Sequence, residues 1–357
     1  MCSPSPPVPP RPCGWPDCWQ SAIPRPEAAS CIAELHRLGV AVVIVTGDAA
    51  ATAGVIAKEV GVDGAIYPPG RIRDGVRPDE YGVFAAVLPE DKFRLVKAFQ
   101  QSGYTVGMCG DGANDAPALR QAQIGIAVST ATDVAKSAAG IVLTEPGLSG
   151  IVASVREGRV SFQRILTYTL RSIVSKVRQV LFLTVGLVMT GHAILTPMLM
   201  VLSMITGDFL AMSSTTDNVE PSPQPSSWRI GNLTLAGAAL GLCDLVFCTA
   251  VLAIGKYRLG LAVPELQTLT VVTLTFNGQA VFYAVRERRR IWSSRPSNIV
   301  MICSAADLLI IPGFAASGFL MAPLPPAIIA ALFFTALLLA FALDGMKTAI
   351  FRRLKMV

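Results

Sequence analysis

The chain has 357 residues, 52% of them hydrophobic and only 15% charged, and its mean hydropathy is +0.54. Soluble domains carry roughly a quarter charged residues, so this composition excludes an ordinary water-soluble protein and implies that most of the chain lies in a membrane. The net charge of +6 does not point to nucleic acid, because the basic residues gather beside apolar runs, as in Arg286, Arg288, Arg289 and Arg290 or Arg352, Arg353 and Lys355.

Residues 1–24 are crowded with prolines and have neither a basic start nor an apolar stretch. They are read as a disordered Pro/Cys-rich leader, neither signal peptide nor helix. Cys13 and Cys18 fall in it without the second pair that a zinc site needs, and the eight cysteines as a whole suggest no disulfide framework. A soluble module is expected over 25–155. It opens with helical apolar spacing in EAASCIAELHRLG, and then AVVIVTGD forms a short β-branched strand that ends in a turn. AATAGVIAKEVGV supplies the next amphipathic helix. In open α/β sheets the chemistry sits beyond the carboxyl ends of strands, which is where Thr46, Gly47 and Asp48 stand.

VLPEDKFRLVKAFQ starts an amphipathic helix with Lys92 in its first turn, where the macrodipole disfavours a cation. An anionic phosphoryl group would explain it, since a compact ammonium is a good point charge for phosphate. Further on, the strand TVGMC runs into GDGAND, a poor helix former and a good ion site. Asp111 and Asp115 are four apart across a Gly-containing turn, so both carboxylates are expected to converge on a hard cation such as Mg²⁺. Taken alone, either motif would read as a surface lysine or a solvated turn.

TGD, LPEDK and GDGANDAPAL, in this order and each after a strand or loop, resemble the haloacid-dehalogenase-type phosphorylation domain of P-type ATPases, and the likeness runs from about Pro24 to the C-terminus. The resemblance implies an α/β haloacid-dehalogenase-like (Rossmannoid) partial domain. It implies that Thr46, Gly47 and Asp48 position a phosphoryl group, that Lys92 neutralises it, and that Asn114 assists Asp111 and Asp115 in orienting Mg²⁺, with ATP as the family's substrate. The family's nucleophile is an Asp in a DKTGT-like strand, and no such sequence occurs in this chain, since Asp17 lacks that context. The nucleotide-binding and actuator domains are not represented either, so no phosphoenzyme is expected to form on this chain alone. Ala86 stands where members often carry an arginine.

From about 156 to 346 the sequence reads as an all-α transmembrane bundle of about six helices. An Arg-rich helical linker comes first, and then apolar segments at 173–191, 194–214, 233–254, 267–285, 299–321 and 326–346, each near the ~20 residues that cross a bilayer. Residues 347–357 read as a basic cytoplasmic tail, and with the soluble module also cytoplasmic the basic loops fall inside. Asp208 lies between apolar residues at membrane depth, where a carboxylate is a functional candidate by default. Its segment resembles the sixth membrane helix and proline-rich loop of plasma-membrane proton pumps, which implies that Asp208 is the ion-coupling group. Arg178 and Lys176 in the preceding helix read either as its counter-charges or as cations snorkelling to the cytoplasmic interface. Asp244, Asn277, Gln279 and Asp307 read as interhelix hydrogen-bonding or packing residues in preference to ligands.

The leading expectation is therefore the C-terminal part of a P-type ATPase that moves a cation, H⁺ favoured, through the lipid bilayer of the cell membrane, partnered by a separate N-terminal pump fragment. A non-catalytic membrane protein left by truncation or frame-shift is the alternative from another class, and a Ca²⁺, Na⁺ or Mg²⁺ pump is the third.

Overall fold

A computed structural model describes residues 25–73, 75–222, 225, 230–288 and 290–354. The leader read at 1–24 lies outside these, as do Trp228, Arg229, Arg289 and Lys355. The chain divides into two compact units, with the main boundary between Glu157 and Gly158.

The first unit runs α1 (Ala28–Arg37), β1 (Ile44–Val45), α2 (Ala50–Val60), β2 (Ala65–Ile66), β3 (Tyr81–Phe84), α3 (Pro89–Gln101), β4 (Gly107–Gly110), a 3₁₀ turn at Ala113–Asp115, α4 (Ala116–Gln121), β5 (Ile124–Ala127), α5 (Asp133–Ala138) and β6 (Ile141–Val142). The strands form two parallel sheets, ordered β1-β3-β2 and β4-β5-β6. Parallel neighbours need crossovers; helices supply them between β4 and β5 and between β5 and β6, α2 lies between β1 and β3, and β2 reaches β3 through residues 67–80, with no helix among those described. β3 is the strand around which the first sheet packs. Val83 joins Ile32, Ala53, Ala57 and Val60 in one apolar cluster, whereas the next residue, Phe84, joins Leu95, Ala98 and Phe99 in another. That division is the period-2 alternation of a strand covered on both faces. In both sheets the strand that leads into a candidate site loop, β1 or β4, is an edge strand.

The second unit contains six helices long and apolar enough to cross a membrane: α6 (Ser149–Thr190, which begins before the boundary), α7 (Pro197–Ser213), α8 (Ile230–Tyr257), α9 (Val263–Arg286), α10 (Asn298–Ser317) and α11 (Pro326–Arg353). The Arg-rich linker and the first apolar segment, read separately in the sequence, form one continuous 42-residue helix. Its inward stripe, Gln163, Leu166, Leu170, Val174, Arg178 and Phe182, advances by three or four residues, as a helix seam does. α8 approaches α6 through two glycines. A Cβ on Gly237 would lie 2.6 Å from Ile173 Cγ2, and one on Gly241 would lie 3.0 Å from the Val174 carbonyl oxygen. Small residues spaced four apart let helix backbones approach where lipid offers no hydrophobic drive.

Two basic groups read as juxtamembrane or tail charges are placed differently. Arg286 ends α9 with 1% of its surface exposed, ion-pairs with Asp217, and donates to the carbonyls of Ser294 (2.9 Å) and Asn218 (3.1 Å). Arg164 of α6 holds the same segment through the Asp217 carbonyl at 2.8 and 3.0 Å. Lys347 lies inside α11, which continues through the segment expected as a tail. Its ammonium spends all three donors, on Asp344 Oδ1 (2.7 Å) and on the Ala284 (2.7 Å) and Glu287 (2.9 Å) carbonyls at the end of α9. Helix ends leave carbonyls without intrahelical partners, so Lys347 acts as a cap delivered from a neighbouring helix.

Lys347→Met leaves Asp344 ionised and buried without its partner, which should cost about 3 kcal/mol. Thermal unfolding of the detergent-solubilised chain should show a clear fall in midpoint. The double variant Asp344→Leu/Lys347→Met should recover part of it, and a double variant no more stable than the single would refute the pairing.

Candidate functional site

The first half of the site is the loop after β1. Its backbone is fastened to the segment after β3, with Thr46 N donating to the Phe84 carbonyl (2.9 Å), Val87 N to the Thr46 carbonyl (3.0 Å) and Ala86 N to the Asp48 carbonyl (2.9 Å). Ala86 takes a left-handed φ of 53° there, a local strain of the kind that surrounding hydrogen bonds must impose. Inside the loop Thr46 Oγ1 donates to Asp48 Oδ2 at 2.7 Å and accepts from Asp48 N at 3.1 Å. Gly47 and Asp48 are exposed.

The second half is the turn after β4. Asp115 is 4% exposed, and both of its oxygens are engaged. Oδ1 accepts from Lys92 Nζ at 2.7 Å, while Oδ2 accepts from the backbone N–H groups of Asp111 and Gly112, each at 3.3 Å. A Cβ on Gly110 would sit 2.7 Å from Asp115 Cβ, so a glycine is required for the carboxylate to fold back beneath its own strand. Lys92 stands in the first turn of α3 because Asp115 compensates it locally.

The sequence reading gave Asp111 and Asp115 the same task, and the structure separates them. Asp111 is exposed, and its carboxylate has no hydrogen bond or ion pair among the described residues, so it is the free oxygen donor of the turn. Asn114 is exposed beside it. No group of three or more metal-ligating side chains occurs among the described residues. A cation here would therefore rest on Asp111 with water or a ligand completing its shell, as Mg²⁺ tolerates. No hydrogen bond among the described residues joins the Thr46–Asp48 loop to the Asp111–Asp115 turn.

Residues 17–123 match the haloacid dehalogenase-like hydrolase family. The α/β unit is haloacid dehalogenase-like. Over 314 residues the chain is 33% identical to a protein of Methanocaldococcus jannaschii named as a cation-transporting ATPase, a match covering 84% of this chain and 39% of that protein. The chain thus spans about two fifths of that relative's length. Among solved structures, the catalytic domain of the CPx-ATPase CopB-B is 27% identical, covering 37% of this chain and 45% of the other, with a TM-score of 0.30, a likeness too slight to bear on the fold.

In the helical unit, Asp208 lies on an exposed face of α7. Neither counter-charge expected for it is there. Arg178 is buried and pairs with Asp244 Oδ2 of α8 at 2.9 Å, and Lys176 is exposed with no ion pair among the described residues. The cation beside Asp208 is Arg171, which donates to the Gly207 carbonyl at 3.0 Å and feels the charges of both Asp208 and Asp307. The sequence did carry a signal for it, since Arg171 stands seven residues before Arg178, two helical turns along nearly the same face. On α9, Asn277 donates to Asp244 Oδ1 at 2.9 Å and Gln279 to Asp307 Oδ2 at 3.0 Å.

Cys109, on β4, reports on the turn. Although Cys109 keeps an exposed surface, desolvation by the atoms packed around its sulfur pushes the thiol above the ordinary value, and the charges of Asp111 and Asp115 push it further. A raised thiol pKa means less thiolate at a given pH and slow alkylation. Asp111→Asn should therefore speed iodoacetamide modification of Cys109 at pH 8, as should millimolar Mg²⁺ on the parent. Mg²⁺ should have no such effect on Asp111→Asn. Equal acceleration in both proteins would remove Asp111 as a cation ligand.

Proposed function

We propose that this chain is the C-terminal part of a P-type ATPase that couples ATP hydrolysis to cation transport across the cell membrane, with the proton as cargo and the α/β unit on the cytoplasmic side. The observation that carries this reading is the match to a cation-transporting ATPase over 314 residues, a length that takes in both the α/β unit and the apolar helices. A haloacid dehalogenase-like domain fused to six apolar helices supports the same reading.

In the α/β unit Thr46 and Asp48 orient a phosphoryl group and Lys92 lends it positive charge, while Asp115 holds Lys92 and the turn in place. Asp111 holds Mg²⁺, with Asn114 beside it; the bound ion supplies neutralisation of phosphoryl charge. The phosphorylated aspartate and the nucleotide domain are supplied from outside these 357 residues. β1 and β4, both edge strands, leave room for pairing by a further strand. In the membrane Asp208 is the ion-coupling carboxylate and Arg171 its counter-charge, because Arg178 is already neutralised by Asp244.

The chain purified alone should give no acid-stable, hydroxylamine-sensitive label from γ-labelled ATP. Adding the N-terminal half of an intact relative should restore labelling and proton uptake into sealed vesicles. In that assembly Asp208→Asn should keep the phosphoenzyme and lose at least about tenfold in proton transport, since an amide keeps the shape and does not titrate. Full pumping by the Asn variant would make Asp208 a packing residue, and labelling of the lone chain would show that these 357 residues contain a phosphorylated group of their own.

A further inference from the structure

Arg178, Asp244 and Asn277 meet in the interior between α6, α8 and α9, where Arg178 is 6% exposed and the other two 0%. Both oxygens of Asp244 are engaged, one by Arg178 Nη1 and the other by Asn277 Nδ2, each at 2.9 Å. Its two partners are not fully engaged. Arg178 Nε and Asn277 Oδ1 are both buried without a hydrogen-bond partner. The amide cannot simply be turned round, because that would set its oxygen against the carboxylate. One group is thus an unused donor and the other an unused acceptor, held near each other by bonding to the same side chain. Leaving either dry costs about 1–3 kcal/mol, so such atoms signal something that completes them.

We propose that this buried cluster binds an internal water molecule, which accepts from Arg178 Nε–H and donates to Asn277 Oδ1. The charges choose the ligand class. Asp244 and Arg178 cancel, so the cluster favours neither a cation nor an anion, and what fits is a small neutral molecule with both a donor and an acceptor. Cys248 borders it, with Sγ 3.2 Å from Asn277 Nδ2 and 3.8 Å from Asp244 Oδ1. The same grammar recurs two residues along α9. Gln279 donates to Asp307 at 3.0 Å and leaves Oε1 unpartnered, while Arg171, which faces Asp307, leaves Nε unpartnered. The two sets lie on opposite sides of α9, since residues two apart on a helix do not face each other, and each leaves one donor and one acceptor unused. The inference does not depend on which cation is moved or on whether one is.

The test is X-ray radiolysis of the full chain in detergent micelles, read by mass spectrometry. Water bound beside Cys248 produces hydroxyl radical in place, whereas exposed Cys109 is oxidised by radicals from bulk solvent. A bulk radical scavenger should therefore suppress Cys109 oxidation and leave most of that at Cys248. Asn277→Leu, which removes the acceptor and keeps Arg178–Asp244, should lower Cys248 oxidation by about fivefold, since a buried water needs two or more polar partners. Absence of Cys248 oxidation in the parent, suppression in parallel with Cys109, or oxidation unchanged in Asn277→Leu would each overturn the proposal. If the variant fails to fold, the scavenger comparison on the parent decides alone.

Discussion

A polar side chain at membrane depth costs least where protein, not lipid, surrounds it, and in this chain α9 meets that condition most fully. Its apolar window is 83% buried, whereas those of the other five helices are 22% to 33% buried. Thr268, Thr270, Thr273, Thr275, Asn277 and Gln279 can therefore lie along it, and the carboxylates of α8 and α10 turn toward it because its amides are the donors within reach. Lys347 and Arg286 then close its final turn. Central burial, buried amides and the capped end are linked: a helix that faced lipid would keep these groups only at greater cost.

The α/β unit answers a different constraint. Its site loops leave the carboxyl ends of strands, so the backbone there is fixed while the side chains stay reachable. Asp115 is the hinge of the arrangement, gathering a lysine from α3 and two N–H groups from its own turn into one buried carboxylate. This leaves Asp111 pointing outward and unspent, which is the asymmetry that two carboxylates need if one is to bind and the other to hold.

Much of this was legible in the sequence where signals are local. The TGD, PEDK and GDGAND turns, the alternation of strands and helices and the six apolar stretches are patterns within a few residues of one another, and the fold follows them. Pairings across the fold were not legible. Arg178 lies nearer in sequence to Asp208 than to Asp244, yet helix packing, which sequence separation does not encode, gives it to Asp244. Arg286 and Lys347 carried the composition of interfacial charge, and nothing in their neighbours announced Asp217 or Asp344 as buried partners. Asp111 and Asp115 looked equivalent because spacing alone does not say which of two carboxylates a distant lysine will meet.

The glycine seam between α6 and α8 has a consequence for heredity. Any missense change in a glycine codon adds at least a Cβ, and at positions 237 and 241 that atom would press into Ile173 and the Val174 carbonyl. At Gly231 or Gly345 the same atom meets nothing within 4 Å. The codons of Gly237 and Gly241 should thus be nearly closed to drift while those of Gly231 and Gly345 stay open, a contrast that mutational tolerance would register wherever folding of the chain is under selection.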